Sequence, residues 1–248
     1  MTQRPVCLIT GASVGIGAAC AELAAARGYD LVLNYRSDDA SAEAVATTCC
    51  AAGATVHLAK GDVAEPDDIA RIYAQVDDNF GRIDALINNA GIVGQTARLT
   101  DMDHARLHHM FAVNVFGAML VAKEAVTRME AQGTGGAIVN LSSAAARLGS
   151  GGQYLDYAAS KAAIDIFTKG LSDEVAPHGI RVMAVRPGII ATDIHAKGGE
   201  PDRVARMAPL VPMKREGSAM EVAQTILWLM SDEASYVTGS TLDVTGGR

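Results

Sequence analysis

Seven short runs of β-branched and aliphatic residues punctuate the chain, and between them lie longer, alanine-rich stretches whose apolar positions recur at helical spacing. The short runs predict strands over 6–9, 31–33, 55–59, 85–87, 137–140, 180–185 and 241–244. The longer stretches predict helices over 18–27, 40–51, 66–80, 101–129, 154–176 and 219–230. Local chemistry agrees with these limits. Pro66 occupies a first helical turn, where its missing N–H costs nothing, and Gly53 and Gly81 stand where helices must stop. A strand, a helix and a second strand in succession close as a right-handed crossover between parallel neighbours. Repeated along 248 residues without a linker, repeat or charge run, the pattern predicts a single α/β domain. Its core would be one doubly wound, seven-stranded parallel sheet with helices on both faces.

Composition removes other classes. With 49% hydrophobic and 20% charged residues, the chain has the make-up of a folded domain with a substantial core. A net charge of -7 lacks the basic excess of a nucleic-acid binder, so no nucleic-acid partner is expected. The apolar run after Arg4 and Pro5 is too short for a signal peptide or a membrane span, which predicts a cytoplasmic protein without a membrane partner. Cys7, Cys20, Cys49 and Cys50 show no ligand spacing with histidines, so no metal is expected and the thiols read as buried or half-buried.

The residues suited to chemistry gather where predicted strands end. Directly after the first strand comes Thr10-Gly11-Ala12-Ser13-Val14-Gly15-Ile16-Gly17. Three glycines there let a backbone approach a ligand closely, and the helix N-terminus behind them suits a pyrophosphate, although a simple tight turn would read the same. The second strand ends Asn34-Tyr35-Arg36-Ser37, with arginine where a carboxylate would hold the ribose hydroxyls of NAD. A guanidinium can pair with a 2'-phosphate, which favours NADP, while Asp38 and Asp39 nearby pull the other way. Tyr157 and Lys161 lie four apart at the start of a helix, hence on one face. The ammonium would favour the phenolate, so Tyr157 could exchange a proton with an alcohol. Asn140-Leu141-Ser142-Ser143 closes the fifth strand at the same sheet edge, where a serine hydroxyl could polarise a substrate oxygen. Asn88-Asn89-Ala90-Gly91 follows the fourth strand at that edge. Asn114, between Val113 and Val115, reads as a helix-bending or water-binding core residue.

Taken in order, these motifs resemble those of the short-chain dehydrogenase/reductase family in its compact form, from one end of the chain to the other. Asp62-Val63 is similar to that family's adenine-contacting pair, and Pro187-Gly188 with Thr192 to its nicotinamide segment. The resemblance implies a Rossmann fold and an NAD(P)-dependent oxidoreductase that interconverts a carbonyl and a secondary alcohol on a small substrate. It implies a catalytic set of Asn114, Ser143, Tyr157 and Lys161. In that set Tyr157 is the general acid-base, Ser143 orients the substrate oxygen, Lys161 lowers the tyrosine pKa and binds the nicotinamide ribose, and Asn114 holds a relay water. The implied cofactor contacts are Gly11, Ser13, Gly15, Ile16, Gly17, Arg36, Asp62, Val63, Asn89, Ala90, Gly91, Pro187, Gly188 and Thr192, together with Tyr157 and Lys161. Ser143, Gln153 and Tyr157 are the expected substrate contacts, with Tyr154 and His195 as further candidates.

Two features depart from the family's pattern. Ser143 lies one residue further from Tyr157 than is usual, a difference expected to be absorbed by the loop 144–156, and Val14 stands where many NADP-using members carry a basic residue. Within the family the likeness is to bacterial reductases of the glucose-dehydrogenase and acyl-carrier-protein-reductase kind. Two other readings compete. Epimerases and dehydratases of the extended relatives use the same tyrosine and lysine but add a C-terminal substrate domain for which 248 residues leave little room. A non-catalytic nucleotide-sensing or scaffold protein would have no need of the complete catalytic set. The helical stretches 101–129 and 154–176 carry more apolar surface than one sheet face covers, which together with the resemblance predicts a homo-oligomer, a tetramer with two-fold axes.

Overall fold

The computed structural model describes residues 4–192 and 198–248. Seven strands form one sheet: β1 (Val6–Ile9), β2 (Asp30–Tyr35), β3 (Val56–Lys60), β4 (Ala85–Asn88), β5 (Gly136–Leu141), β6 (Ile180–Pro187) and β7 (Thr241–Val244). Their order is β3-β2-β1-β4-β5-β6-β7, and every pairing is parallel. The order reverses between β1 and β4, so the crossovers on either side of that point leave toward opposite faces and a crevice opens beyond the C-terminal strand ends. Helices cover both faces, which is why β1 and β4 are buried along their whole length and read as continuous apolar runs.

One face carries α1 (Gly15–Ala26), α2 (Asp39–Ala51) and α9 (Ala219–Met230); α3 (Pro66–Asn79), α5 (Ala118–Gln132) and α7 (Leu155–Val175) lie on the other. Helix α1 buries Gly17, Cys20, Ala21, Ala24 and Ala25, and these small residues let it lie close to both the sheet and α9. It starts at Gly15 rather than at the predicted 18, because the last glycines of the turn already form its first turn. Cys7, Cys20 and Cys49 are buried as expected, whereas Cys50 is exposed.

The expected unbroken helix over 101–129 needs correction. A 3-10 turn over Leu99–Asp101 comes first; then Asp103 caps α4 (His104–Phe111), its carboxylate accepting from the Arg106 N–H at 2.8 Å. Between α4 and α5 the chain widens into a π turn, Ala112–Gly117, which holds Asn114. A Cβ on Gly117 would lie 2.5 Å from the Val63 carbonyl oxygen, so the close seat of this turn on the loop after β3 requires glycine. The run His104–Gln132 has the length and apolarity to cross a membrane, yet here Val121, Ala122, Ala125 and Met129 pack into the core. The loop 144–156 is not wholly irregular: it contains α6 (Ala145–Leu148), and its last residues already open α7. A short α8 (Arg203–Met207) precedes α9.

Candidate active site

A cleft of about 670 Å³ lies beyond the C-terminal ends of β1, β2, β4, β5 and β6. Gly11 and Gly15, with φ of +63° and +60°, sit in the left-handed region that favours glycine, and they turn the chain from β1 into α1. A Cβ on Gly17 would stand 2.2 Å from the Gly11 carbonyl oxygen. Asn89 locks the same turn by donating to the Thr10 and Gly11 carbonyls at 2.9 and 3.0 Å, while the Thr10 hydroxyl accepts from the Asn89 and Ala90 N–H groups. Helix α1 has no side-chain cap, since its N-cap is Val14. Its first N–H groups therefore face the cleft without a protein acceptor of that kind, which is the cradle a diphosphate needs. The turn thus fits a dinucleotide.

At the far end of the cleft, the Asn34 amide donates to the Ala59 and Gly61 carbonyls at 3.0 Å and joins the ends of β2 and β3. Arg36 lines the cleft with its side chain 59% exposed, 3.8 Å from Asp62. Asp39, which pulled against NADP on sequence, is engaged by Lys60 at 2.8 Å and by the Tyr35 hydroxyl, and these hydrogen bonds hold its carboxyl below the usual range. Asp62, Val63 and Ser37 line the same end.

At the reaction end, α7 presents Tyr157 and Lys161 on one face, and Ser143 arrives from the end of β5. The Lys161 ammonium donates to the Leu141 carbonyl at 2.6 Å and stands 5.8 Å from the centre of the Tyr157 ring. Burial pushes Lys161 down to about 8, with Asp165 opposing. Tyr157 departs from expectation: burial pushes its phenol up, and the only opposing influence is a hydrogen bond with Ser143. Desolvation outweighs that hydrogen bond, so in this cleft the neutral phenol is favoured. Ser142 is structural, its buried hydroxyl donating to the Lys161 carbonyl at 3.1 Å.

Asn114 and Gly17 are the two predicted site residues, among those described, that do not line the cleft. The Asn114 side chain accepts from the Ile92 N–H at 2.8 Å and donates to the Ile92 carbonyl at 2.9 Å and the Ser160 hydroxyl at 3.1 Å. Its amide pins the loop after β4 against α7. Gln153 lines the cleft, and its carbonyl accepts from the Ala97 N–H at 3.0 Å. Tyr154 lines it too, 3% exposed, while His195 lies outside the described residues. Sequence reading missed Arg203 and Arg248 in the cleft wall. Neither sits in a motif that the sequence offers.

With this geometry in place, comparison with known proteins is specific. A family model described as enoyl-(acyl carrier protein) reductase matches residues 11–248. The chain is 46% identical to an uncharacterised oxidoreductase, YgfF, of Escherichia coli (strain K12), over 98% of this chain and 99% of the other. It is 36% identical to L-rhamnose 1-dehydrogenase (NAD(P)(+)) of Sphingomonas sp. (strain SKA58), over 97% and 92% of the two chains. Among solved structures, a short-chain type dehydrogenase/reductase from Mycobacterium marinum superposes with a TM-score of 0.93 at 34% identity, covering 98% of this chain and 94% of that one.

Proposed function

The chain belongs to the short-chain dehydrogenase/reductase family of NAD(P)-dependent oxidoreductases, and from that premise we propose that it interconverts a carbonyl and a secondary alcohol on a small substrate, with NADPH preferred. The observation that carries the reading is the convergence of Tyr157, Ser143 and Lys161 in the cleft that also holds the glycine turn and the uncapped start of α1. When bound, the nicotinamide cofactor supplies or accepts the hydride. The N–H groups of the turn and of α1 would hold its diphosphate, Asp62 and Val63 its adenine, Arg36 its 2'-phosphate and Lys161 its nicotinamide ribose. Ser143 donates a hydrogen bond to the substrate oxygen and orients it toward Tyr157. In reduction Tyr157 gives its proton to that oxygen, and in oxidation it takes one from the alcohol. A phenol kept neutral by burial starts the cycle in the donor form, which suits reduction. Asn114 contributes by fixing the loop after β4 against α7.

Oxidation of NADPH or NADH is followed against a panel of ketones and aldehydes, and the reverse reaction against secondary alcohols. Turnover is expected with NADPH ahead of NADH. Tyr157→Phe removes the hydroxyl that moves the proton, so turnover should fall by about 100-fold or more while NADPH still binds, as read by nucleotide fluorescence. A variant that keeps over a tenth of wild-type turnover would move the proton transfer to another group.

A further inference from the structure

Among the described residues, three buried side-chain polar atoms have no hydrogen-bond partner: the Tyr154 hydroxyl, Arg203 Nε and Asp165 Oδ1. Two of the three belong to one place. The Arg203 guanidinium carbon lies 4.9 Å from the centre of the Tyr154 ring, and both residues line the cleft together with Tyr157. Tyr154 is 3% exposed and Arg203 8%. A buried donor left without an acceptor is costly in folding free energy, and here two stand side by side in the wall of a ligand cleft. Such a wall is suited to an acceptor that the protein does not itself supply.

Charge narrows the kind of acceptor. Arg203 reaches a Glu200 carboxylate oxygen at 3.2 Å, and the same oxygen takes Arg206 at 2.7 Å, while the other accepts from the Thr96 hydroxyl at 2.8 Å. One carboxylate is shared by two guanidinium groups, which leaves one positive charge in excess among these three. Asp156, just beyond Tyr154, does not offset it, because Arg106 already donates to both its oxygens at 2.8 and 3.3 Å. Placement sets the reach. Tyr154 is the N-cap residue of α7, about one turn ahead of Tyr157. An acceptor held by Tyr154 and Arg203 would share the cleft with an oxygen at Tyr157.

We propose that Arg203 and Tyr154 recognise a carboxylate carried a few bonds from the reacting carbon, so that the substrate is a small oxo acid or the matching hydroxy acid. The proposal rests on the oxidoreductase reading and names the substrate class of the same cleft. Arg203 supplies charge and an N–H, Tyr154 supplies an O–H, and Tyr154 ties this recognition to the start of the helix that carries Tyr157.

The test uses 2-oxobutanoate, 3-oxobutanoate and 4-oxopentanoate, each beside its methyl ester, with NADPH and with NADH. For at least one pair, kcat/KM for the acid should exceed that for the ester by about tenfold or more, and Arg203→Met should lower this acid-to-ester ratio by at least tenfold. Reading the ratio removes any loss common to both substrates, as a merely structural role would produce. If Arg203→Met does not fold by circular dichroism, Tyr154→Phe decides, with a fall of at least threefold in the ratio expected. Esters preferred throughout, or a ratio that moves less than these amounts, would overturn the carboxylate site and leave the oxidoreductase reading standing. Absence of turnover for every carbonyl compound with either cofactor is a different result: it would overturn the oxidoreductase reading, and the substrate class with it.

Discussion

Burial works against charge on both Tyr157 and Lys161, and the two side chains respond in opposite directions. For Lys161 the folded value of about 8 lies below the ordinary 10.5. Below pH 8 the lysine is protonated folded and unfolded, and the folded state carries the full cost of a buried charge. Between about pH 8 and 10.5 the unfolded chain binds more protons, so stability rises with pH. Measured by urea unfolding, the stability of wild type relative to Lys161→Met should therefore rise by about 2 kcal/mol between pH 7.5 and 9.5. A flat difference would place Lys161 in a polar environment. Arg36 bears on cofactor choice, but its guanidinium is 59% exposed and already near Asp62. Arg36→Ala should weaken NADPH by about tenfold, roughly 1.5 kcal/mol, near the lower end for a charge-assisted contact, and leave NADH almost unchanged. Equal losses in a binding titration would show that Arg36 does not read the 2'-phosphate.

Helix α1 meets the sheet edge at a distance that only glycine permits at position 17. The obstacle to a larger residue is the Gly11 carbonyl oxygen, 2.2 Å from where a Cβ would stand, with the Asn89 amide at 2.6 Å. Neither is the free end of a flexible side chain, since Asn89 is itself held by Thr10 and Gly11. Gly17→Ala must therefore push α1 away from the turn. It should cost about 1–3 kcal/mol of stability in denaturant unfolding and weaken both nucleotides alike, because the shared diphosphate cradle is what moves. Unchanged stability together with unchanged nucleotide binding would show that the turn can relax at no cost. The π turn over Ala112–Gly117 is a second element of this kind, pressing on Val63 through Gly117 and on Ile92 through Asn114. One irregular turn thus positions loops from β3 and from β4 at the cleft.

The molecule leaves large apolar side chains in solvent on the helices that cover one sheet face. Phe116 is 53% exposed, Met119 40% and Ile166, on the neighbouring α7, 71%. Exposed groups of this size on adjacent helices are what an isologous interface between copies would cover. Light scattering at micromolar concentration should give a mass of four times the 25.7 kDa chain, and Phe116→Glu should lower it. A monomeric mass for wild type would remove the oligomer from consideration.

The amino-acid sequence alone determined the alternation of strands and helices, the single parallel sheet, the glycine turn and the Tyr157–Lys161 pair, because each depends on local periodicity or short spacing. Element ends were legible to within a few residues where proline or glycine marked them, as at Pro66 and Gly81. The family followed from the order of the motifs. Only the tertiary structure decided the rest. It placed the π turn, which answers to contacts with Val63 and Ile92 rather than to the pattern of its own helix. It paired Arg36 with Asp62 and stacked Arg203 on Tyr154, joining residues too far apart in the chain for spacing to reveal. It also reversed the expected direction for the Tyr157 phenol, because a pKa depends on how much water the surrounding fold excludes, and that depends on the whole packed molecule.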